Sequence, residues 1–216
     1  MNIFKGILSS LFPDRCVGCS ARGLLLCDAC LKKVSPAQTP PHSFITSVFA
    51  YHDSRVKRLI KLLKYKNARH AAEIFAVPLA ASLSEFFGEE QAFLGSRNIL
   101  LVPIPLSKKR MQKRGYNQAE LLARGMLAHL PAEKISVDTT LLKKIIETTP
   151  QADIKKKSVR LANLGDCFCV ASGRSGNGKV VVLIDDVTTT GATLIAAKRA
   201  LREAGFSRIY ALTAAH

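Results

Sequence analysis

Apolar residues recur along this chain in two rhythms, a helical one of about 3.6 residues and continuous runs of strand length. Ile3, Phe4, Ile7, Leu8, Leu11 and Phe12 make a helical stripe that ends at Pro13. A short amphipathic helix of this kind packs on a neighbouring module or docks on a membrane or partner. A β-like run over 47–51 leads to Asp53, placed as a helix N-cap, after which Val56, Leu59, Ile60 and Leu63 share one helix face. The opposite face is basic, with Arg55, Lys57, Arg58, Lys61 and Lys64. Residues 71–87 read as a helix apolar nearly all round, and so as a buried one. Beyond it, 98–104 predicts a buried strand, 117–130 a helix, 141–146 a mixed strand and 179–184 a second buried strand. A helix over 192–204 stops at Gly205, and 209–213 predicts a last strand. Strands alternating with helices predict an α/β fold with a parallel sheet and right-handed crossovers.

The 216 residues are 48% hydrophobic and 22% charged. That excludes a disordered or collagen-like chain and is enough for one α/β domain with a small appendage. Three prolines within 35–41 mark a linker, dividing the chain into 1–34, the linker, and a domain over 42–216. No stretch approaches the roughly 20 uninterrupted apolar residues of a membrane span. The N-terminal stripe is broken by Lys5 and has no small-residue cleavage pattern, so a cytoplasmic location is expected. The formal net charge of +16 predicts a polyanionic partner or substrate, such as phosphates, nucleic acid or a membrane surface.

Four of the six cysteines form two C-x-x-C pairs, Cys16/Cys19 and Cys27/Cys30. One such pair also serves redox chemistry, but two adjacent pairs supply the soft, tetrahedral donor set of a structural Zn²⁺. A closed shell of four thiolates leaves no open position for catalysis, so the metal would supply folding energy to a segment with little core of its own. Cys167 and Cys169 lie two apart on one face of a strand and read as small buried hydrophobes.

The strongest chemical signal runs from Val180 to Thr193. An apolar strand ends in Asp185 and Asp186, and a loop of Val187, Thr188, Thr189, Thr190 and Gly191 then opens a helix at Ala192 and Thr193. Backbone N–H groups, threonine hydroxyls and the positive end of a helix converge there, which is a cradle for a phosphate. Gly191 would let the backbone come close to the anion. Two acids beside an anion repel it unless they hold its hydroxyls or a cation, so Asp185 and Asp186 suit a ribose diol and indirect contact with Mg²⁺. The plainer alternative is two acids capping an ordinary strand-to-helix turn.

This segment resembles the 5-phosphoribosyl-1-diphosphate (PRPP) signature of the type I phosphoribosyltransferases. The double C-x-x-C, Leu63-Lys64-Tyr65-Lys66, Val102-Pro103-Ile104-Pro105, Arg114-Gly115-Tyr116-Asn117-Gln118 and Thr149-Pro150-Gln151 extend the resemblance. Together they are similar to the ComF family of competence proteins over nearly the whole chain. The resemblance implies a type I phosphoribosyltransferase fold, a Rossmann-like parallel sheet with PRPP across its carboxyl ends, joined to a small N-terminal Cys₄ zinc module. It implies that the loop over 105–118 faces the diphosphate, with Arg114, Asn117 and Gln118 as its binding residues. It also implies a lid over the reacting ribose that includes Gln151, Arg160 and Asn163, while Lys155, Lys156 and Lys157 there suit a lid, a DNA contact or a solvated surface.

Two functions follow from these residues. One is a ComF-type protein of DNA uptake that binds PRPP and handles single-stranded DNA, with a competence helicase as a further partner. The other is a phosphoribosyltransferase acting on a small nitrogen acceptor. The acceptor side carries no base-recognition signature, and His42, His52, His70, His129 and His216 form no motif. The cations favour the first function, because a positive groove on the phosphate backbone is the sequence-independent part of single-strand binding.

Overall fold

The computed structural model describes residues 14–65, 68–89, 98–131, 133–145, 167–176 and 178–216. The N-terminal stripe over 2–12 and the lid residues Gln151, Lys155, Lys156, Lys157, Arg160 and Asn163 lie outside them. The strands are β1 (Ile45–Phe49), β2 (Asn98–Pro103), β3 (Ile135–Val137), β4 (Leu142–Lys144), β5 (Phe168–Val170), β6 (Lys179–Val187) and β7 (Arg208–Ala215). Five of them make one sheet in the order β1-β7-β6-β2-β3, and every pairing in it is parallel. β6 lies at its centre, in register with β2 (Val180 beside Ile99, Ile184 beside Pro103) and with β7 (Asp185 beside Thr213). β6 reads Val-Val-Val-Leu-Ile because both of its faces are covered.

The helices are α1 (Asp28–Leu31), α2 (Ser54–Tyr65), α3 (Ala68–Glu89), α4 (Lys108–Arg114), α5 (Gln118–Leu127) and α6 (Ala192–Glu203). The two-residue period of the strands separates two cores. Val180, Val182, Ile184 and Leu212 pack with residues of α2, α3 and α5. Val181, Leu183, Ile209 and Ala211 pack with residues of α6 and the β4–β5 pair. β4, expected among the alternating strands, instead pairs antiparallel with β5 outside the main sheet. Its run of three residues offers too few apolar positions to be buried on both faces. Asp138 opens this hairpin: its Oδ1 accepts N–H groups of Thr140 and Leu141, both at 2.9 Å, and its Oδ2 meets Arg174 at 3.1 Å.

α3 corrects another expectation. Ala71, Ala72, Phe75, Ala76, Leu79, Ala80 and Leu83 are buried, but Glu73, Val77, Ala81 and Ser84 form an exposed stripe. It is long and apolar enough to cross a membrane by length and composition, and here its buried faces pack against α2, α5 and the sheet. The basic residues 108–114, expected as a loop, form α4. Ser107 caps its start, accepting the Arg110 N–H at 3.4 Å, and Gly115 ends it at φ 75°.

An acid–base pair at the start of α2 helps join the Cys segment to the domain. Asp53 caps α2 by accepting the Arg55 N–H at 2.8 Å, and its other oxygen accepts the Ser35 N–H at 3.2 Å. The Arg55 guanidinium lies 2.6 Å from that second oxygen and donates to the carbonyls of Cys30, at 3.4 Å, and Lys33. Arg58 donates to the Val17 carbonyl at 2.5 Å. The hydrogen bonds from Arg55, with backbone N–H groups, hold the Asp53 carboxyl well below the usual carboxylate range despite its burial. Cys16, Leu25, Leu26 and Cys30 share a core with α2 and α3, and the linker pairs with β1 through the Ala37 N–H to Val48 carbonyl bond of 3.0 Å.

Candidate ligand site and cysteine cluster

From β2 the chain passes to β3 on one side of the sheet, and from β6 to β7 on the other, so β2 and β6 flank the topological switch point. Ligands of open α/β sheets bind at the carboxyl ends of such strands. Two loops meet that place. The one after β2 contains α4 and the turn into α5; the one after β6 runs from Thr188 to Gly191 into α6.

The second loop is tied at its start, where the Thr188 N–H donates to the Ala215 carbonyl at 3.0 Å. Thr188 is buried, whereas Thr189 and Thr190 are exposed. The N–H groups of Thr189, Thr190 and Gly191 have no protein acceptor among the described residues. Gly191 is the N-cap of α6 at φ 73°, a conformation that favours glycine. A Cβ there would stand 2.8 Å from His42 Cδ2 and 2.9 Å from Ile45 Cδ1. Glycine at 191 is therefore required by its backbone angle and by what packs beneath it, a constraint separate from the approach of an anion.

At the end of β6, Asp186 is buried and Asp185 half-buried. Burial, reinforced by the Asp186 charge, pushes the Asp185 carboxyl up to about 8. Lys64, from the last turn of α2, brings its Nζ to 2.8 Å from Asp186 Oδ2. The pair lacks hydrogen-bond alignment, and that oxygen accepts no hydrogen bond among the described residues. The same end of α2 holds the first loop: the Tyr116 hydroxyl donates to the Leu63 carbonyl at 3.0 Å, and Arg114 Cζ lies 5.7 Å from the Tyr65 ring centroid. Arg114 Nη1 donates to Gln118 Oε1 at 2.7 Å. Asn117 is buried, with Nδ2 donating to the Ile104 carbonyl and Oδ1 accepting the Ala119 N–H, both at 3.0 Å. It joins β2 to α5 as well as capping the helix.

Lys64 was legible as one cation on a basic helix face; its contact with Asp186 joins residues 122 positions apart, which no local pattern reveals. Arg55 and Arg58, on the same face, are bonded to carbonyls of the Cys segment, which leaves Lys57 and Lys61 exposed there. No residue of α4 is buried: Lys108, Lys109, Arg110 and Lys113 are exposed, while Arg114 is half-buried against Gln118 and Tyr65.

The sulfurs of Cys16, Cys19, Cys27 and Cys30 lie within 4.8 Å of one another. The Gly18 and Cys27 N–H groups each donate to Cys16 Sγ at 3.4 Å. Burial raises the Cys16 thiol, but N–H groups of Cys27, Cys19 and Gly18 outweigh it and bring the thiol down to about 6. Contact with Cys27, together with burial, pushes Cys30 up to about 12. A Cβ on Gly18 would stand 2.6 Å from Cys30 Sγ, so the turn closes on the sulfurs only with glycine there. Four converging thiols, one stabilised as a thiolate by backbone N–H groups, fit a thiophilic metal such as zinc.

Residues 113–215 match the phosphoribosyl transferase domain. The chain is 32% identical over 161 residues to "Competence protein ComFC" of Bacillus subtilis, an alignment covering 74% of this chain and 58% of that protein. It is 33% identical over 110 residues to "Competence protein F" of Haemophilus influenzae, covering 50% of this chain and 46% of that one. The chain thus spans about half the length of these relatives.

Proposed function

Because this chain carries a phosphoribosyl transferase domain and is related to the ComF competence proteins, we propose that it binds PRPP with Mg²⁺ and handles single-stranded DNA in the cytoplasm during DNA uptake for natural transformation. The observation that carries the reading is the loop over 188–191, where three successive N–H groups without a protein acceptor among the described residues precede α6, beside two carboxyls and at the switch point of the sheet. N–H groups at a helix start bind phosphate, and that part of PRPP is its 5′-phosphate. Asp185 and Asp186 then hold the ribose hydroxyls. Arg114, half-buried at the end of α4, faces the diphosphate from the other loop, with Gln118 fixing its guanidinium. Mg²⁺ fits beside these acids and, when bound, neutralises charge on the diphosphate.

The Cys₄ cluster holds Zn²⁺ in a structural role, since all four thiols are ligands and α2 anchors the segment through Arg55 and Arg58. DNA is supported by a net charge of +16 and by the outward cations of α4, more than one diphosphate can contact. Thermal-shift titration with PRPP and Mg²⁺, alongside fluorescence anisotropy of a single-stranded oligonucleotide at several salt concentrations, tests both parts. Expected are a PRPP-dependent rise in melting temperature and DNA affinity that falls steeply with salt. Absence of DNA binding at low salt would leave a transferase for a small acceptor; absence of any PRPP effect would remove the ligand reading.

A further inference from the structure

The loop proposed to hold the 5′-phosphate rests on two histidines to which the chemistry above gives no part. His216 Nε2 lies 3.2 Å from the Thr189 carbonyl oxygen, and His42 Nε2 lies 3.2 Å from that of Thr190. A carbonyl oxygen only accepts, so each Nε2 is the proton-bearing nitrogen. The rings come from different parts of the chain and both backbones are fixed. The His42 carbonyl accepts the Ile45 N–H at 3.0 Å, while His216 donates to the Phe49 carbonyl at 3.0 Å and accepts the Tyr51 N–H at 2.7 Å. The start of β1 and the end of its parallel neighbour β7 thus place two imidazole donors at consecutive carbonyls.

The consequence follows from the planarity of the peptide unit. The Thr189 carbonyl shares its plane with the Thr190 N–H, and the Thr190 carbonyl with the Gly191 N–H. No described peptide bond is cis, so each N–H points opposite to its own carbonyl. Holding both carbonyls turns both N–H groups away from the imidazoles, on the side where neither meets a protein acceptor among the described residues. A polar loop without these contacts could rotate either peptide unit and lose the alignment. Gly191 belongs to the same device, because a Cβ would press on His42 Cδ2 at 2.8 Å.

We propose that His42 and His216 are positioning residues for a phosphate monoester: they latch successive peptide units of the loop so that the Thr190 and Gly191 N–H groups are presented together before the ligand arrives. This rests on the reading of the loop as a phosphate site, and it explains how a threonine-rich exposed turn avoids paying the ordering cost on binding.

Calorimetric titration with ribose 5-phosphate tests it, comparing wild type with His42→Leu, His216→Leu, His42→Gln and His216→Gln. Glutamine can return an N–H to the place of Nε2, and leucine cannot. Each leucine variant should bind about tenfold more weakly, as expected for one lost alignment of a donor to a charged group. Each glutamine variant should recover most of the affinity. Leucine variants that bind as wild type overturn the latch and leave the phosphate reading intact. Glutamine variants as weak as the leucine ones also overturn it, since bulk rather than the N–H would then matter. A wild type that binds no ribose 5-phosphate overturns the phosphate reading itself, and the latch with it. A second readout serves if a leucine variant is unstable. The Gly191 amide proton should move downfield on adding ligand to wild type and His42→Gln, and no movement in wild type would overturn the proposal.

Discussion

Replacing Lys64 by Met removes the ammonium 2.8 Å from Asp186 and leaves a buried carboxyl beside Asp185 without that counter-charge. Breaking a fully buried ion pair from one side costs about 3–5 kcal/mol. Here the Lys64 side chain is 24% exposed against 7% for Asp186, so solvent screening reduces the expected cost to about 1–3 kcal/mol. The loss should grow with pH. Asp185 is pushed up to about 8, so the folded protein keeps a proton that the unfolded chain releases in the ordinary carboxylate range. That stabilising contribution is complete below about pH 4 and disappears as pH rises through about 8. Lys64 opposes this rise, and removing it raises Asp185 further and extends the decline. Urea denaturation of wild type, Lys64→Met and Lys64→Met/Asp186→Asn at pH 5 and pH 8.5 provides the comparison. The single variant should lose most at pH 8.5, and the double variant should recover most of that loss. Equal stability of single variant and wild type at pH 8.5, or no recovery in the double variant, would refute the reasoning.

Cys27→Ser should lower bound zinc from near one equivalent to near zero, read by elemental analysis; an unchanged value would place the metal elsewhere. Gly191→Val should abolish the PRPP-dependent rise in melting temperature, since its Cβ meets His42 and Ile45 at a φ of 73°. The unliganded protein should lose about 1–3 kcal/mol through backbone strain, read by denaturation. Asp53→Asn should destabilise the Cys segment above pH 5 and matter little in strong acid, because a carboxyl held low contributes its stability above the usual carboxylate range and loses it as pH falls. Pulse proteolysis within residues 14–34 as a function of pH would check this.

The sheet was readable because its central strands are continuous apolar runs: 179–184 and 98–104 are β6 and β2 within a few residues. β3 escaped notice because Ile-Ser-Val is too short to carry a period, and its pairing with β2 alone makes it a strand. α4 hid behind its charge, although Ser107 and Gly115 are ordinary helix start and stop signals. The threonine loop and the two aspartates announced a phosphate site locally. Contacts made across the sheet did not: Lys64 reaches Asp186, and His42 and His216 reach Thr190 and Thr189, through a tertiary fold that brings distant residues together. The basic face of α2 was legible as charge, but the carbonyls that absorb Arg55 and Arg58 belong to a segment whose position only folding fixes.

The most direct test of the central claim is a crystal structure of the complex with PRPP and Mg²⁺. The account predicts the 5′-phosphate within hydrogen-bond distance of the Thr189, Thr190 and Gly191 N–H groups, with the ribose hydroxyls on Asp185 and Asp186. A phosphate bound on α4 or the Cys segment, with the loop over 188–191 empty, would contradict it.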